Sequence, residues 1–240
     1  MIVKIDRPKE LADAISIVSE IVSEVRIKLL AEGMSIIAVD PANVAMVVLK
    51  IPKESFSQYE SGRDVWGVNL EDLKRVLKRA STSSSVLLEQ EENQLKISIF
   101  DKVKRNFVLS LIEINSEDKE EPVLTFNSKV EIDSDSFSQA IEDCAIVADS
   151  CSLSTGEGFF IVEGSGSLNS AKAEFSSDES TITGTSRSKY SLDYISKFMK
   201  AKKVANKAVI NFSDDYPLRL EFPGEKMGMA FILAPRVENN

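Results

Sequence analysis

The sequence predicts an α+β protein of two similar domains, each built from antiparallel β-sheets with two helices on one side. The main observation is that three segments recur in the same order at a spacing of about 125 residues. They are a helical segment that begins near Pro8, a Glu-Gly pair before an apolar run, and a short helical segment with basic residues. Apolar residues that alternate with polar ones in other segments are typical of sheets with one solvated face. We expect domains at 1–114 and 128–240, joined by a connector at 115–127.

Composition limits the possible functions. The 240 residues suffice for two domains of ordinary size, and 43% of them are apolar. The formal net charge is −9, which argues against a broadly basic surface for nucleic acid. No apolar run approaches a membrane span and the N-terminus is charged too early for a signal peptide, so we expect a soluble cytoplasmic protein. With Cys144, Cys151 and no histidine, a zinc site of ordinary composition is excluded, and we expect both thiols to be buried.

The first half has two helices among strands. Apolar residues at helical spacing predict a helix from Pro8 to about Ser19. Asn69 precedes a second apolar stripe, with an acid three residues later, and predicts the start of a helix that ends near Arg79. The predicted strands are 25–30, 34–39, 44–51, 86–90, 94–100 and 105–112.

The second half repeats this plan after a polar, acidic segment at 115–122 that ends in proline, as an exposed connector does. The apolar residues Val123, Leu124 and Phe126 follow, and we expect them to fold back onto the surface. Helices are predicted near 135–147 and from 192 to about 201. The predicted strands are 128–133, 151–154, 158–165, 170–175, one or two more up to Tyr190, 207–212, 217–222 and 227–233.

Basic residues recur on the short helix of each half. The first helix has them four residues apart, away from its apolar stripe, and the second repeats them and continues past its end. A solvated face is the simpler interpretation, for which lysine is good helix material. However, the same basic residues recur in both halves of a chain whose net charge is −9. This recurrence favours a surface that contacts nucleic-acid phosphate groups and does not recognise the base sequence. The residues concerned are Lys74, Arg75, Lys78, Arg79, Lys197, Lys200, Lys202 and Lys203.

Four separated motifs resemble those of one protein family. They are Val39-Asp40-Pro41-Ala42-Asn43-Val44, Gly67-Val68-Asn69-Leu70, Tyr216-Pro217-Leu218-Arg219-Leu220 and Leu233-Ala234-Pro235-Arg236-Val237-Glu238. With the duplication and the connector, the sequence resembles DNA sliding clamps of the PCNA (proliferating cell nuclear antigen) type over essentially its whole length. The first motif resembles the archaeal form. The resemblance implies the DNA clamp fold and a pseudo-sixfold trimeric ring, with helices around a central hole and sheets outside.

The resemblance also implies a contact between subunits. The strand near 105–112 of one subunit would pair with the strand near 170–175 of the next, because the backbone groups of an edge strand need a partner. The alternative is that both are ordinary covered edges. The residues concerned are Arg105, Phe107, Leu109, Leu111, Ser170, Lys172 and Glu174.

The resemblance further implies an apolar pocket, which binds a short hydrophobic and aromatic peptide motif of client enzymes. The alternative is that many of its apolar side chains belong to the core. The residues concerned are Val39, Asp40, Asn43, Val44, Met46, Val123, Leu124, Phe126, Pro217, Ile232, Leu233, Ala234 and Pro235.

The long helices depart from the family pattern. They have mainly acidic or neutral residues where many clamps have basic ones: Asp13, Ser16, Glu20, Gln139, Glu142 and Asp143, with Lys9 the exception. We therefore expect the positive charge in the hole to come mainly from the short helices.

The resemblance implies the function of a DNA polymerase processivity factor, a ring that encircles duplex DNA and tethers replication and repair enzymes. Its partners would be duplex DNA, a DNA polymerase, a clamp loader, a flap endonuclease and a ligase. No cofactor, metal or catalytic residue is expected. The alternative to a homotrimer is a subunit of a heterotrimeric or checkpoint-type clamp with a specialised repair role.

An enzyme is the rival class of protein. Without histidine, a general base would have to come from groups such as the acidic pairs Asp214-Asp215 and Asp178-Glu179, which are more often turn formers. Gly164-Ser165-Gly166 is only a fragment of a phosphate loop, since no Lys-Ser or Lys-Thr follows. Catalysis is therefore the weaker hypothesis.

Overall fold

A computed structural model describes residues 2–60, 62, 64–115 and 117–237. Ser116 of the predicted connector and Glu238 of the last motif lie outside the described residues. The chain forms two compact units. The first comprises Met1–Pro41, Val47–Glu121 and Lys226–Gly228, and the second comprises Ala42–Met46, Pro122–Glu225 and Met229–Asn240. Within the described ranges, no helix is long and apolar enough to cross a lipid bilayer.

The elements of the first unit are β1 (Ile2–Ile5), α1 (Pro8–Val18), β2 (Glu24–Leu30), β3 (Gly33–Val39), β4 (Ala45–Pro52), β5 (Gln58–Tyr59), β6 (Asp64–Asn69), α2 (Leu70–Leu77), β7 (Ser85–Glu91), β8 (Gln94–Phe100) and β9 (Arg105–Ser110). One sheet has the order β5–β1–β7–β8–β9, and the remaining strands have the order β4–β3–β2–β6. The two helices pack against each other.

The elements of the second unit are β10 (Ser128–Asp133), α3 (Ser134–Val147), β11 (Ser150–Gly156), β12 (Phe159–Ser165), β13 (Ser170–Phe175), β14 (Ser180–Thr183), β15 (Ser186–Ser191), α4 (Leu192–Phe198), β16 (Lys207–Phe212), β17 (Leu218–Pro223) and β18 (Gly228–Leu233). One sheet has the order β13–β12–β11–β15, and the other strands have the order β14–β10–β16–β17–β18. Helix α3 packs against α4 and against β12 and β13. The predicted α+β class with a duplicated plan is confirmed.

Local sequence explains where the helices begin. Asn69 caps α2, since its side-chain oxygen accepts hydrogen bonds from the amides of Glu71 (3.0 Å) and Asp72 (3.2 Å). Asp133 caps α3 in the same way through the amide of Ser136 (2.8 Å). Proline occupies the first turn of α1, where an amide hydrogen would have no partner within the helix. The predicted Asn69 cap is confirmed.

Several predicted boundaries are wrong. The strand predicted at 105–112 ends at Ser110, because the chain then turns to bond a different strand. The amide of Leu111 still donates to Asn93 O, just before β8 (2.8 Å), but that of Ile112 donates to Gly67 O on β6 (2.9 Å). Likewise, the helix predicted to end near Ala201 is α-helical only to Phe198 and continues as a 3₁₀ helix at Met199–Lys203. Three strands were not predicted: β1, β5 and β6.

Candidate functional site

Lys74 and Arg75 lie on α2 and Lys197 lies on α4, away from the buried apolar stripes of these helices. Those stripes are Leu70, Leu73, Val76 and Leu77 in the first unit and Leu192, Ile195 and Phe198 in the second. Lys78 and Arg79 follow directly after the end of α2. Lys78, Arg79, Lys200 and Lys203 are exposed, whereas Lys74, Lys197 and Lys202 are half-buried. Because α4 gives way to a 3₁₀ helix, Lys200, Lys202 and Lys203 lie outside the α-helix.

Several of these cations have an acidic partner. The pairs are Lys74 with Glu71, Arg75 with Asp72 (2.6 Å), Lys197 with Asp193 (2.7 Å) and Lys202 with Asp135 (3.1 Å). The hydrogen bond from Lys74 holds the pKa of Glu71 below its ordinary value. The basic face that the sequence predicts is therefore partly neutralised by the protein itself.

The predicted contact strands β9 and β13 are the last strands of their sheets, each bonded to one neighbour among the described residues. The amide of Leu111, just beyond β9, donates toward the β8 side of the strand. Because backbone groups of successive residues in a strand face opposite sides, those of Leu109, Phe107 and Arg105 also face β8. The backbone groups that face outward from the sheet are consequently those of Asn106, Val108 and Ser110, which were not predicted as contact residues.

In β13, the same reasoning starts from the amide of Gly166, which donates to Asn169 O (2.8 Å). The register of β12 and β13 then directs the backbone groups of Ser170, Lys172 and Glu174 outward. These three are the residues that were predicted on this strand, and Lys172 pairs with Glu174 (2.8 Å).

Exposed apolar side chains lie beside both edge strands. Val103 (67% exposed) lies in the turn before β9, and Val108 (54%) lies within the strand. Leu168 (93%) lies in the turn before β13, and Ile146 (81%) lies near the end of α3, which packs against β13. Each edge strand thus has two apolar side chains exposed within it or near it.

Several of the apolar residues predicted for the peptide pocket are exposed or half-buried in the second unit. The amide of Ala234 donates to Val44 O (2.9 Å), which joins two segments far apart in sequence. Phe126 packs edge-on against Tyr216, with ring centroids 5.9 Å apart, and Val123 is 99% exposed. We define the apolar surface as the exposed or half-buried residues Val44, Met46, Val123, Leu124, Phe126, Tyr216, Pro217, Ala234 and Pro235.

Other predicted pocket residues have different positions. Ile232 and Leu233 are buried in β18, so their side chains belong to the core of the second unit. Val39 and the buried Asp40 belong to the first unit, and Asn43 is an exposed turn residue with a positive φ of 55°. Tyr216 was not among the predicted pocket residues, although it directly precedes Pro217 in the sequence and packs on Phe126.

The first part of the connector is bound to the first unit by charge. Arg26 and Lys28 on β2 lie 3.8 and 2.6 Å from the carboxylate of Asp118, and Lys50 on β4 lies 2.9 Å from that of Glu121. The acidic residues that predicted an exposed connector thus also bind its first part to strands of the first unit.

The acidic pairs considered for catalysis have structural roles. Asp214 accepts the amide of Arg187 (2.6 Å), and Asp215 adopts a positive φ of 47°, as turn residues do. Both line a polar cavity of about 600 Å³ in the second unit. Glu179 accepts the amide of Ser176 (2.7 Å), which closes another turn.

The Gly-Ser-Gly fragment also has a packing explanation. A side chain at Gly164 would lie 3.0 Å from the Cβ of Cys144, so the glycine makes room for α3. Cys144 and Cys151 are both fully buried, and burial raises the pKa of each thiol.

Comparisons with known proteins agree with this arrangement. Residues 8–121 match the sequence model of the proliferating cell nuclear antigen N-terminal domain, and residues 121–237 match that of the C-terminal domain. The protein named DNA polymerase sliding clamp from Pyrococcus abyssi is 32% identical, over 96% of each chain.

Solved structures of the family are similar over the whole chain. The structure of A. fulgidus PCNA bound to the C-terminal region of FEN-1 is 30% identical, with a TM-score of 0.89 over 100% of this chain and 99% of that one. The PCNA2–PCNA3 complex from Sulfolobus tokodaii is 25% identical, with a TM-score of 0.90 over 99% of this chain and 100% of that one. This chain therefore belongs to the proliferating cell nuclear antigen family.

Proposed function

We propose that this chain is a subunit of a DNA sliding clamp, which closes three at a time into a ring around duplex DNA and serves as a polymerase processivity factor. The proposal rests on the repeated architecture of the two units. In each unit a short helix with basic residues packs against a long helix, and one sheet ends in an edge strand that is bonded on one side only among the described residues. Three chains of two units give six similar units around one axis. A clamp of this kind acts on the DNA of the nucleoid, in the cytoplasm.

Ring closure uses the two open edges. Strand β9 of one subunit pairs with β13 of the next, so that Asn106, Val108 and Ser110 exchange backbone hydrogen bonds with the outward groups of the partner strand. The exposed apolar side chains beside these strands become buried in the same contact. Because the two edges differ, the contact is head-to-tail, and rotation closes it into a ring.

Contact with DNA is weak and independent of sequence. Cations on α2 and on the 3₁₀ helix after α4 meet phosphate groups but have no geometry for reading base edges. A closed ring cannot leave an intact duplex, so it needs no tight binding and remains free to slide. The acidic remainder of the chain, with its net charge of −9, disfavours binding of DNA elsewhere.

We expect Lys78→Ala with Lys203→Ala to weaken DNA binding while assembly persists. Both lysines are exposed and have no ion pair among the described residues. Loss of about one phosphate contact per lysine should reduce the magnitude of the salt slope, log Kobs against log salt, by about 1 per lysine. Fluorescence anisotropy of a labelled duplex between about 50 and 200 mM salt measures this slope.

The matched control is Lys53→Ala with Lys119→Ala, which removes the same charge from exposed positions that are not among the predicted DNA-contacting residues. Retention on circular DNA should fall in the first variant and not in the control. Equal retention in both variants, with equal salt slopes, would argue against the proposed DNA-contacting face.

Client enzymes dock on the apolar surface of the second unit. An apolar patch with aromatic anchors suits a short hydrophobic peptide, and the candidates are a DNA polymerase, a clamp loader, a flap endonuclease and a ligase. Docking on a ring that cannot leave the duplex raises the effective concentration of each enzyme at DNA. No bond is made or broken by the clamp itself.

We expect Tyr216→Ala to weaken binding of the C-terminal peptide of a flap endonuclease by about 10- to 100-fold, because the substitution removes the ring that packs on Phe126. Isothermal titration calorimetry measures the affinity. The control Phe159→Ala removes another partly exposed ring, 39% accessible, on β12. Equal affinity for the peptide in the two variants would contradict the assignment of this surface.

A heterotrimer is the second candidate assembly. The similarity to a PCNA2–PCNA3 complex, which contains two different clamp subunits, favours considering it. The outward residues of β9 carry no charge and those of β13 neutralise each other, so this chain has no charged barrier to self-association. We therefore expect a single species of about three times 26.5 kDa by light scattering, whereas a persistent monomer would favour a heterotrimer.

A further inference from the structure

The acidic partners of the basic face form the same arrangement in both units. In the first unit Glu71 and Asp72 lie one turn before Lys74 and Arg75, and in the second Asp193 lies one turn before Lys197. Asp135 on α3 adds a partner to Lys202 across the two helices, 3.1 Å away. Lys74, Arg75, Lys197 and Lys202 are therefore each paired with an acid.

A hydroxyl group of the neighbouring long helix also holds one lysine in each unit. The Nζ atom of Lys74 donates to Ser19 Oγ at the end of α1 (3.2 Å), and that of Lys202 donates to Ser138 Oγ on α3 (3.3 Å). The side chain of Lys74 is only 17% exposed as a result. The paired lysines are thus drawn toward the protein surface rather than extended into solvent.

We propose that Glu71, Asp72, Asp193 and Asp135 compete with DNA phosphate for these cations and thereby set how loosely the ring holds the duplex. This inference rests on the proposed clamp function, since it concerns the same basic face. It assigns a regulatory role to acids that the family resemblance did not single out.

The physical reason is an exchange of partners. A phosphate that contacts Lys74 or Lys197 must first displace a carboxylate, so the contact gains little free energy. Normally a protein cation that meets DNA phosphate releases a condensed counterion, which makes binding steeply dependent on salt. A cation that must first leave a protein carboxylate gains less free energy from this release. The affinity for DNA and the magnitude of the salt slope should therefore both be smaller than those expected if all eight cations contacted phosphate without such competition.

A purely structural role is the competing explanation. All four acids lie in the first turn of a helix, where a negative charge interacts favourably with the helix dipole. That role predicts an effect on stability and none specific to DNA. The two explanations therefore differ in a measurable way.

The test is the triple variant Glu71→Gln, Asp72→Asn and Asp193→Asn, compared with the triple variant Glu120→Gln, Glu157→Gln and Glu225→Gln. The control acids are exposed and have no ion pair among the described residues, so both variants change the net charge equally. The measurement is the anisotropy of a labelled duplex of about 30 base pairs, titrated with the trimer at several salt concentrations.

If the acids compete with phosphate, the first variant binds about tenfold more tightly at low salt than the control, and its slope becomes steeper by about 0.9 per released cation. Equal affinities and slopes in the two variants would overturn the inference, as would a lower Tm with unchanged DNA binding. If the triple variant is destabilised, Asp193→Asn alone releases one cation and should steepen the slope by about 0.9.

This outcome is separable from that of the proposed function. If the Lys78 and Lys203 substitutions weaken DNA binding but the acid substitutions have no specific effect, only the present inference fails. If neither set of substitutions changes DNA binding relative to its control, the assignment of these basic residues as the DNA-contacting surface is wrong.

Discussion

Val108→Pro is expected to convert the ring into folded monomers. The amide of Val108 faces outward from β9, so proline removes no hydrogen bond within the subunit, and edge strands tolerate proline at such positions. In the proposed ring, the same change would remove a backbone hydrogen bond from the middle of the β9–β13 ladder and would place the proline ring against the partner strand. At about 3 kcal/mol per contact, the dissociation constant should rise by about 100-fold or more.

Light scattering with circular dichroism checks this prediction. The variant should show a mass near 26.5 kDa with an unchanged far-ultraviolet spectrum, whereas Val108→Thr keeps the amide and should retain the native mass. Lys172→Pro should act in the same way from the other side of the contact, because its amide faces outward from β13. A Val108→Pro protein that stays trimeric at micromolar concentration would exclude this strand from the subunit contact.

Gly67→Ala is expected to cause a large loss of stability in the first unit. A Cβ atom at this position would lie 2.0 Å from the carbonyl oxygen of Ile112, which is far inside van der Waals contact. The neighbour is backbone, and it is held there because the amide of Ile112 donates to the carbonyl of Gly67 (2.9 Å). The segment after β9 would have to move away, at a cost of about 3 kcal/mol or more.

Urea denaturation measures this cost as the change in the free energy of unfolding. The matched control is Gly228→Ala, where an added Cβ would meet nothing within 4 Å. We expect the control to be nearly neutral. A Gly67→Ala protein as stable as the control would mean that the segment near Ile112 yields easily.

Much of the fold could be predicted from the sequence because its signals are local. The caps Asn69 and Asp133, the apolar spacing of the helices and the alternation in β8 each act within a few residues. Strand β6 was not predicted because Gly67 interrupts its pattern, and that glycine is explained only by the approach of Ile112, 45 positions later. The end of β9 was misjudged for the same reason.

The candidate site was predictable to a smaller extent. The position of the basic residues follows from helical spacing, and the partners Glu71 and Asp193 lie within one turn of their lysines. The pair between Lys202 and Asp135 joins two helices, so no spacing rule could have indicated it. Similarly, an apolar residue such as Leu233 can belong to a core or to a docking surface, and only its burial decides between them.

The burial of both cysteines has a consequence for how the protein responds to acidity. Their pKa values are raised by burial, and the chain contains no histidine, so neither residue type gains or loses protons near neutrality. The two thiols should thus stay protonated and uncharged from about pH 6 to pH 8. A change of client or DNA binding within that window would then have its origin outside the cysteine thiols of this chain.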